Sequence, residues 1–255
     1  MISLKLLPTP HSHIIGHRGA PKQAPENTLA SFKRAFELGA NWIEFDVRLT
    51  KDDELVIFHD EKLERTTSGQ GCLIDHTLAE IQQLEAGSWF SSEFSDQRIP
   101  TLIDTLPYLK AWGLTPVVEI KCEKNQESAL TKKIAYAVAD CLQHCWIANQ
   151  MLPLVSSFDH SALVYYRERL KQPALIGFLV DDIYPEHIQL VHQTPNSTLH
   201  CNQRYVKPEA IKALKKEQIA LFIYTVNDKT LGQAYLEAGA TAIFTDYPDL
   251  FLPLI

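Results

Sequence analysis

The stretch IIGHRGAPKQAPENTLASFKRAFELGANWIEFDVRL, from Ile14 to Leu49, contains a short apolar run, a helical pattern and a second apolar run. Asn27 or Thr28 can cap the helix, apolar residues from Leu29 to Phe36 recur at helical spacing, and Gly39 ends the pattern. A strand, a helix and a second strand in this order predict two parallel strands joined by a helical crossover. The stretch therefore predicts an α/β fold.

The same alternation of apolar runs and helical patterns continues along the chain. The nine strand candidates are HIIGH (13–17), WIEFDVRL (42–49), LVIFH (55–59), TPVVEIK (115–121), LPLVSSF (152–158), ALIGFLV (174–180), TLHCN (198–202), ALFIYTV (220–226) and AIFTD (242–246). A closed α/β barrel needs eight strands, so one candidate is either not a strand or an addition at the rim. No Gly/Ser linker divides the chain, and we predict a single domain over residues 1–255.

Two connections depart from this regular alternation. Only LTKDDE (49–54) separates the second and third candidates, which is too short for a crossover helix. A long connection from Glu61 to Leu114 contains one modest helical pattern, TLAEIQQLEAG (77–87). Long connections of this kind are often functional, so we predict an insertion or lid over residues 61–114.

The composition excludes several classes of partner. The chain has 255 residues, 45% of them hydrophobic, and a net charge of -7 with a pI of about 5.8. A net negative charge provides no general attraction for nucleic acid or for an anionic membrane surface. No segment approaches the roughly 20 apolar residues of a membrane span. We therefore predict a small-molecule substrate, no nucleic acid and no stable membrane association.

The cysteines and the first residues predict a cytoplasmic protein. Five cysteines are an odd number, without a CxxC pair, which is typical of reduced thiols. The segment MISLKLLPTPHSH (1–13) has a short apolar run broken by two prolines, which is unlike a signal peptide.

Two carboxylates lie on one face of the second strand candidate. Side chains alternate along a strand, so Glu44 and Asp46 point to the face opposite Phe45. Buried without a partner, each carboxylate would cost several kcal/mol or become protonated. Arg48 shares their face, so an ion pair with Arg48 at the rim is the alternative to a functional site.

A third carboxylate occupies an equivalent strand end in TPVVEIKC, where Glu119 and Lys121 share a face. Three carboxylates without nearby thiolates or imidazole clusters form an oxygen-rich site. Such a site suits a hard divalent cation, Mg²⁺ or Ca²⁺, better than zinc. We therefore predict a cation site formed by Glu44, Asp46 and Glu119.

His17 and His59 end the apolar runs IIGH and VIFH. The carboxyl ends of barrel strands are where an α/β barrel assembles its active site. A histidine near its ordinary pKa of about 6.5 can accept or donate a proton at neutral pH. The pair is therefore a candidate for general acid–base catalysis.

Arg18 follows His17 directly, and its planar guanidinium suits bidentate contact with phosphate. Lys121 adds a second positive charge on the carboxylate face of its strand. With a divalent cation these two side chains form a plausible phosphate-binding site. Without a cation, Arg18 and Lys121 would simply neutralise the carboxylates.

Eight short motifs follow one another from about residue 14 to residue 249. They are HRG (17–19), PENT (25–28), IEFDVRLTKD (43–52), FHDEKLERTTSGQG (58–71), VVEIK (117–121), SSF (156–158), YTVN (224–227) and FTDYPD (244–249). In this order they resemble the motifs of the glycerophosphodiester phosphodiesterases. A lone HRG motif would be weak evidence, but the ordered set covers nearly the whole chain and is specific.

The resemblance implies a distorted TIM-type (β/α)8 barrel with a small insertion after the third strand. It also implies metal-dependent hydrolysis of glycerophosphodiesters, such as glycerophosphocholine or glycerophosphoethanolamine, to sn-glycerol 3-phosphate and an alcohol. The implied site residues are the catalytic His17 and His59, the metal ligands Glu44, Asp46 and Glu119, and the phosphate-binding Arg18 and Lys121.

The resemblance further implies that His17 is the base and His59 the acid. Tyr224 departs from the family, because many relatives have tryptophan at this position. How this chain packs the alcohol side of its substrate is therefore left open by the resemblance.

Four alternatives remain open from the sequence. A phosphodiesterase of the lysophospholipase D type would need an apolar rim facing a membrane. Lys121 at a strand end could belong to a Schiff-base aldolase. A non-catalytic binding barrel is expected only if the pair of histidines were incomplete. The triplet HSH (11–13) could indicate an amidohydrolase, although it precedes the strand instead of following it.

Overall fold

The fold is seen in a computed structural model, which describes residues 13–123, 126–146, 151–170 and 172–251. The strands are β1 (Ile14–His17), β2 (Trp42–Leu49), β3 (Leu55–Ile57), β4 (Thr115–Ile120), β5 (Leu154–Ser157), β6 (Leu175–Val180), β7 (Ser197–Asn202), β8 (Leu221–Tyr224) and β9 (Ala242–Thr245). The helices are α1 (Leu29–Glu37), α2 (Leu78–Ile81), α3 (Leu102–Trp112), α4 (Ser128–Cys145), α5 (His160–Arg169), α6 (Pro185–Gln193), α7 (Pro208–Lys216), α8 (Lys229–Ala238) and α9 (Pro248–Phe251).

Within the described residues, eight parallel strands close into a barrel. The first strand, β1, pairs with both β2 and β9, so that Ile15 lies opposite Trp42 on one side and Phe244 on the other. The ladder continues from β2 through β4, β5, β6, β7 and β8 to β9. Because each crossover carries a helix, this is the predicted TIM-type (β/α)8 barrel.

The ninth strand, β3, is an addition outside the barrel. It runs antiparallel to β2, with Val47 opposite Ile57 and Leu49 opposite Leu55. The loop between β2 and β3 is short enough for such a reversal, whereas a parallel connection needs a longer crossover. The surplus strand candidate of the sequence is therefore a strand at the rim.

The first helix begins where the sequence predicts it. Thr28 is the N-cap, and its hydroxyl accepts a hydrogen bond from the backbone N–H of Ser31 at 3.2 Å. The chain then leaves the helix through Gly39, whose φ of +94° favours glycine. Phe32 and Ala35 of α1 are fully buried against the sheet. The helix thereby fixes the path of the loop that contains His17 and Arg18.

The segment between β3 and α3 has a small apolar core of its own. It contains two 3₁₀ turns and the single-turn helix α2, which is shorter than the predicted pattern TLAEIQQLEAG. A complete capping box at Thr77 and Glu80 starts that helix. Its core residues are Val56, Phe58, Leu63, Leu73, Ile81, Ala86 and Ile99. By contrast, α3 packs with the helices around the barrel, because Leu102, Leu106 and Leu109 are buried in the main core.

A neutral histidine fills part of the barrel interior. The His200 ring is fully buried and stacks on Phe222, with ring centroids 4.7 Å apart and planes 6° apart. Burial lowers the pKa of His200 to about 3, so the ring carries no charge at neutral pH. A Cβ atom added to Gly177 would lie 2.4 Å from Cε1 of this ring. The absence of a side chain at Gly177 is therefore what makes room for His200.

This packing predicts the effect of Gly177→Ala. Because the added methyl group would overlap a buried ring, we expect the free energy of unfolding to fall by about 1–3 kcal/mol. In a His200→Ala background the methyl group has free space, and the same substitution should cost close to nothing. Urea denaturation of the four proteins in this double-mutant cycle measures both values. An equal loss in both backgrounds would contradict the packing account.

Candidate active site

Three carboxylates on β2 and β4 converge inside the barrel, two of them buried and the third, that of Glu119, slightly exposed. Glu44 and Asp46 point inward, while Phe45 packs in the main core on the opposite face of β2. Glu119 on β4 lies beside Asp46 in the strand register. One oxygen from each carboxylate lies within 4.8 Å of the other two. The alternation predicted from the sequence is confirmed, and the three acidic groups form one cluster.

The electrostatics of this cluster are unfavourable without additional positive charge. Burial foremost, and then the neighbouring carboxylates, raise the pKa of Glu44 well above its usual range. Burial also raises the pKa of Glu119. For Asp46, burial is outweighed by the charges of Lys121 and Arg18, so its pKa is lowered. If all three carboxylates are ionised, they therefore outnumber the two cationic side chains that contact them.

Arg18 lies against the carboxylates through both its backbone and its side chain. Its backbone N–H donates to Glu44 at 3.1 Å, and its Nε lies 3.4 Å from Asp46 Oδ2. Nη1 donates to Glu26 at 2.7 Å. Burial alone would lower the pKa of Arg18, but the charges of Asp46 and Glu26 raise it. A φ of +56° at Arg18 places the backbone N–H and the guanidinium on the same site.

Lys121 enters the site from the end of β4. Its Nζ donates to Glu119 at 2.8 Å and lies 3.6 Å from Asp46. The effect of burial on the pKa of Lys121 is outweighed by these carboxylates, which raise it. A charged ammonium is a poor nucleophile, so this geometry argues against the Schiff-base aldolase considered from the sequence.

Arg48 does not neutralise the cluster, so the alternative of a rim ion pair is wrong for this residue. Its Nη1 pairs with Glu123, and its Nε donates to the carbonyl oxygen of His59 at 2.9 Å. The charges nearest to Glu44 and Asp46 are provided by other residues. Arg48 instead holds the backbone of the segment that follows β3.

His17 reaches the site from the end of β1 and is held by a carboxylate. Its Nδ1 lies 2.7 Å from Asp246 Oδ1, and because a carboxylate only accepts, Nδ1 is the protonated nitrogen. Asn227 donates to the other oxygen of Asp246 at 2.7 Å. Burial would raise the pKa of Asp246, but these hydrogen bonds and His17 lower it. Nε2 of His17 is therefore the nitrogen available for proton transfer.

His59 arrives by a different route from the one that the sequence predicted. The expectation that His59 ends a barrel strand is wrong, because β3 lies outside the barrel and runs antiparallel to β2. The backbone N–H of Phe58 donates to the carbonyl of Asp46 at 2.9 Å, so the chain after β3 returns alongside β2. His59 Nδ1 lies 2.6 Å from Asp60 Oδ1. Burial, more than any other cause, lowers the pKa of His59.

Four further polar residues complete the site and were not predicted as site residues from the sequence, although Asn27 was considered there as a helix cap. Asn27, buried and with a φ of +56°, donates to Asp46 Oδ2 at 2.8 Å. Glu26 binds Arg18, Asp60 binds His59, and Asp246 binds His17. All four lie within the motifs that carry the family resemblance. Their place in these motifs was the one indication in the sequence that they belong to the site. Their contacts join distant parts of the chain, and spacing alone does not reveal them.

A pocket opens beside the carboxylates. Phe158, half exposed, packs edge-on against Tyr224 with ring centroids 6.0 Å apart. The Tyr224 hydroxyl donates to the carbonyl of Val180 at 2.8 Å, so it is engaged with the barrel. The lining residues are His17, Glu44, Glu119, Ser156, Phe158, Leu179, His200, Tyr224 and Phe244.

Two other sequence predictions concern regions away from this site. Of the HSH triplet, residues 11 and 12 lie outside the described residues, as does most of the predicted non-signal segment 1–13. His13 precedes β1 and its Nδ1 lies 2.6 Å from the carbonyl oxygen of Thr241, which is a structural contact. No helix in the described part of the chain is long and apolar enough to cross a membrane.

Comparison with known proteins identifies the family. Residues 17–250 match the sequence model of the glycerophosphoryl diester phosphodiesterase family. A glycerophosphodiester phosphodiesterase from Caldanaerobacter subterraneus subsp. tengcongensis is 34% identical over 242 residues, which are 95% of this chain and 97% of that protein.

Solved structures agree with the sequence match. A phosphodiesterase from Oleispira antarctica, solved in complex with the product sn-glycerol-3-phosphate, has a TM-score of 0.87 and 33% identity, covering 98% of this chain and 97% of its own. A glycerophosphodiester phosphodiesterase from Thermotoga maritima has a TM-score of 0.74 and 26% identity, covering 97% of this chain and 100% of its own. This chain belongs to the glycerophosphoryl diester phosphodiesterase family.

Proposed function

We propose that this chain hydrolyses glycerophosphodiesters such as glycerophosphocholine and glycerophosphoethanolamine, using a divalent cation and two histidines. The products would be sn-glycerol 3-phosphate and the free alcohol. The observation that carries the proposal is the convergence of three carboxylates, two of them buried, on β2 and β4. The product bound to the Oleispira antarctica relative supports the choice of substrate class.

The residues of the cluster fit a divalent cation. Glu44, Asp46 and Glu119 offer oxygen ligands, which hard cations such as Mg²⁺ and Ca²⁺ prefer. The raised pKa values of Glu44 and Glu119 indicate that a further positive charge would be stabilising here. The buried Oδ1 of Asn27, next to Asp46, has no hydrogen-bond partner among the described residues, as expected beside a bound cation or its water.

Arg18 and Lys121 would hold the phosphate in this proposal. A cation bound at the carboxylates would supply Lewis-acid stabilisation of the charge that develops on the phosphoryl oxygens. The buried Nε of Arg18 has no hydrogen-bond partner among the described residues and lies 3.4 Å from Asp46 Oδ2, so a small shift of the guanidinium would let its N–H donate to a phosphate oxygen. Lys121 adds a protonated ammonium on the other side of Asp46.

His17 is the proposed general base. With Nδ1 protonated and bonded to Asp246, its Nε2 can take a proton from the glycerol 2-hydroxyl or from a water molecule. Asp246 then stabilises the positive imidazolium that forms. The same carboxylate fixes the orientation of the ring, because Asn227 holds Asp246 in place.

His59 is the proposed general acid, which protonates the leaving alcohol. Its lowered pKa runs against this role in the free site, since burial favours the neutral ring. A bound phosphodiester brings negative charge beside the ring and so raises this pKa in the complex. Asp60, bonded to Nδ1, supports the charged ring in the same way as Asp246 supports His17.

The five cysteines lie in described parts of the chain and are all free thiols. Free thiols support the proposal that the chain works in a reducing compartment such as the cytoplasm.

We expect hydrolysis of glycerophosphocholine and glycerophosphoethanolamine to stop after chelation and to return with Mg²⁺ or Ca²⁺. Release of sn-glycerol 3-phosphate, followed by a coupled dehydrogenase assay, measures the rate for each substrate and each cation. A lysophospholipid assayed in parallel tests the alternative substrate class. Full activity in a chelator would refute the metal-dependent mechanism, and activity on the lysophospholipid alone would refute the substrate assignment.

Glu44→Gln tests the cation site without an activity measurement. A cation that binds the folded state at 100 times its Kd adds about 2.7 kcal/mol to the free energy of unfolding of the wild type. This gain should vanish in Glu44→Gln, whereas the cation-free variant should be at least as stable as the wild type, because burial and the neighbouring carboxylates disfavour the ionised form of Glu44. Thermal unfolding with and without cation measures both effects.

Asp140→Asn, on an exposed ion pair with Arg169, is the matched control and should keep the cation-dependent gain. The same gain in Glu44→Gln and in Asp140→Asn would exclude Glu44 as a ligand.

His17→Ala and His59→Ala should each lower kcat on glycerophosphocholine by roughly 10²-fold or more. A p-nitrophenyl ester of glycerol phosphate separates their roles, because p-nitrophenolate leaves without protonation. We expect His59→Ala to recover most of its activity on this substrate and His17→Ala to recover none. The opposite pattern would reverse the acid and base assignments, and wild-type rates in either variant would remove that histidine from the mechanism.

A further inference from the structure

Arg65, in the first turn after β3, lies between two carboxylates of the active site. Its Nε and Nη2 donate to the two oxygens of Asp60 at 2.5 and 2.9 Å. Its Nη1 and Nη2 donate to the two oxygens of Glu26 at 2.7 and 2.8 Å. One guanidinium therefore binds both carboxylates in a bidentate manner, which a lysine ammonium cannot do.

Each of these carboxylates also holds a group of the proposed reaction. The same Oδ1 of Asp60 that accepts from Arg65 lies 2.6 Å from His59 Nδ1. The same Oε1 of Glu26 that accepts from Arg65 also accepts from Arg18 Nη1 at 2.7 Å. Arg65 thus joins the proposed acid to the proposed phosphate-binding arginine through two shared oxygen atoms.

The backbone that carries Arg65 is fixed, although the side chain is 45% exposed. Leu63, two residues earlier, is fully buried in the small core of the insertion. Its backbone N–H donates to the carbonyl of Gly71 at 3.0 Å, and Lys62 forms a β-bridge with Cys72. The insertion therefore delivers a guanidinium at a defined place over the barrel.

The charges indicate what the loss of Arg65 would do. Burial would raise the pKa of both carboxyl groups, but hydrogen bonds from Arg65 hold the pKa of Asp60 at about 2 and lower that of Glu26. Without Arg65, Glu26 would keep Arg18 as its cationic partner and draw that guanidinium away from Asp46. Asp60 would lose the partner that fixes its orientation toward His59.

We propose that Arg65 is a positioning residue that sets the orientation of His59 through Asp60 and the position of Arg18 through Glu26. The insertion then takes part in assembling the catalytic site, beyond any role as a cover. This inference rests on the proposed function, in which His59 is the general acid and Arg18 binds the phosphate.

Steady-state kinetics on glycerophosphocholine with saturating cation test the proposal. Arg65→Ala should lower kcat/KM by about 10- to 100-fold, with a lower kcat through His59 and a higher KM through Arg18. Arg65→Lys should not restore the rate, because one ammonium cannot hold four carboxylate oxygens. The two effects should separate in single variants, with Asp60→Asn lowering mainly kcat and Glu26→Gln raising mainly KM.

Arg169→Ala is the matched control. Arg169 is 48% exposed and binds both oxygens of Asp140 at 2.8 and 2.9 Å, on the helices around the barrel. This variant should keep the wild-type kcat and KM. That outcome would show that the loss of an exposed bidentate ion pair does not by itself cause the lower kcat/KM of Arg65→Ala. Guanidinium at a non-denaturing concentration should restore part of the activity of Arg65→Ala, and methylammonium should not.

A His59→Ala background provides the test that a merely structural role would fail. There, Arg65→Ala should cause no further loss of kcat and should still raise KM. A loss of kcat as large as in the wild type would overturn the proposal, as would kinetics of Arg65→Ala that match those of Arg169→Ala. If Arg65→Ala does not fold, the kinetics of Asp60→Asn and Glu26→Gln test the proposal instead. The proposal is then overturned if Asp60→Asn does not lower kcat and Glu26→Gln does not raise KM.

The outcome for the wild type separates this inference from the proposed function. An active wild type with an equally active Arg65→Ala refutes only the role of Arg65. A wild type without glycerophosphodiesterase activity refutes the proposed function, and this inference with it.

Discussion

Three carboxylates share one buried space inside the barrel, and this unfavourable concentration of charge constrains the surrounding structure. Each ionised group would cost several kcal/mol if it were buried alone. Arg18, Lys121 and Asn27 offset part of that cost by direct contact with the cluster. Two of these three residues have a backbone φ of +56°, which is uncommon outside glycine. The positive φ values in the segment after β1 are thus explained by the contacts that Arg18 and Asn27 make with the carboxylates.

The two histidines are supported by similar contacts from different parts of the chain. His17 and Asp246 belong to the closing edge of the barrel, where β1 meets β9. His59 and Asp60 directly follow the antiparallel strand β3, at the start of the segment that leads to α3. Because the segment between β3 and α3 has its own apolar core, the orientation of one histidine depends on a different packing unit from that of the other.

Much of this arrangement could be predicted from the sequence, because alternation along a strand is a local property. The inward position of Glu44, Asp46 and Glu119 follows from a period of two residues. The direction of β3 was harder to predict, because the sequence of a three-residue strand does not show whether it runs parallel or antiparallel to its neighbour. The short connection 49–54 did contain the signal, because so few residues allow only a reversal. A reversal after β2 places His59 beside β2 and outside the parallel barrel, as the structure has it.

What the sequence could not provide is the set of contacts between polar residues far apart in the chain. Asp246 meets His17 only because β9 pairs with β1 in one register, and Arg65 meets Glu26 only because the insertion folds back over the barrel. Local periodicity contains neither fact. The motifs marked the right segments without identifying the partners.

The pairing of the first strand with the last also concerns how the protein is made. His17 and Asp246 are 229 positions apart, yet they form one hydrogen bond. During translation, the histidine therefore leaves the ribosome long before its carboxylate, which is added 229 residues later. A nascent chain that ends before Asp246 therefore lacks the contact that orients the proposed base, and this contact forms only together with closure of the barrel.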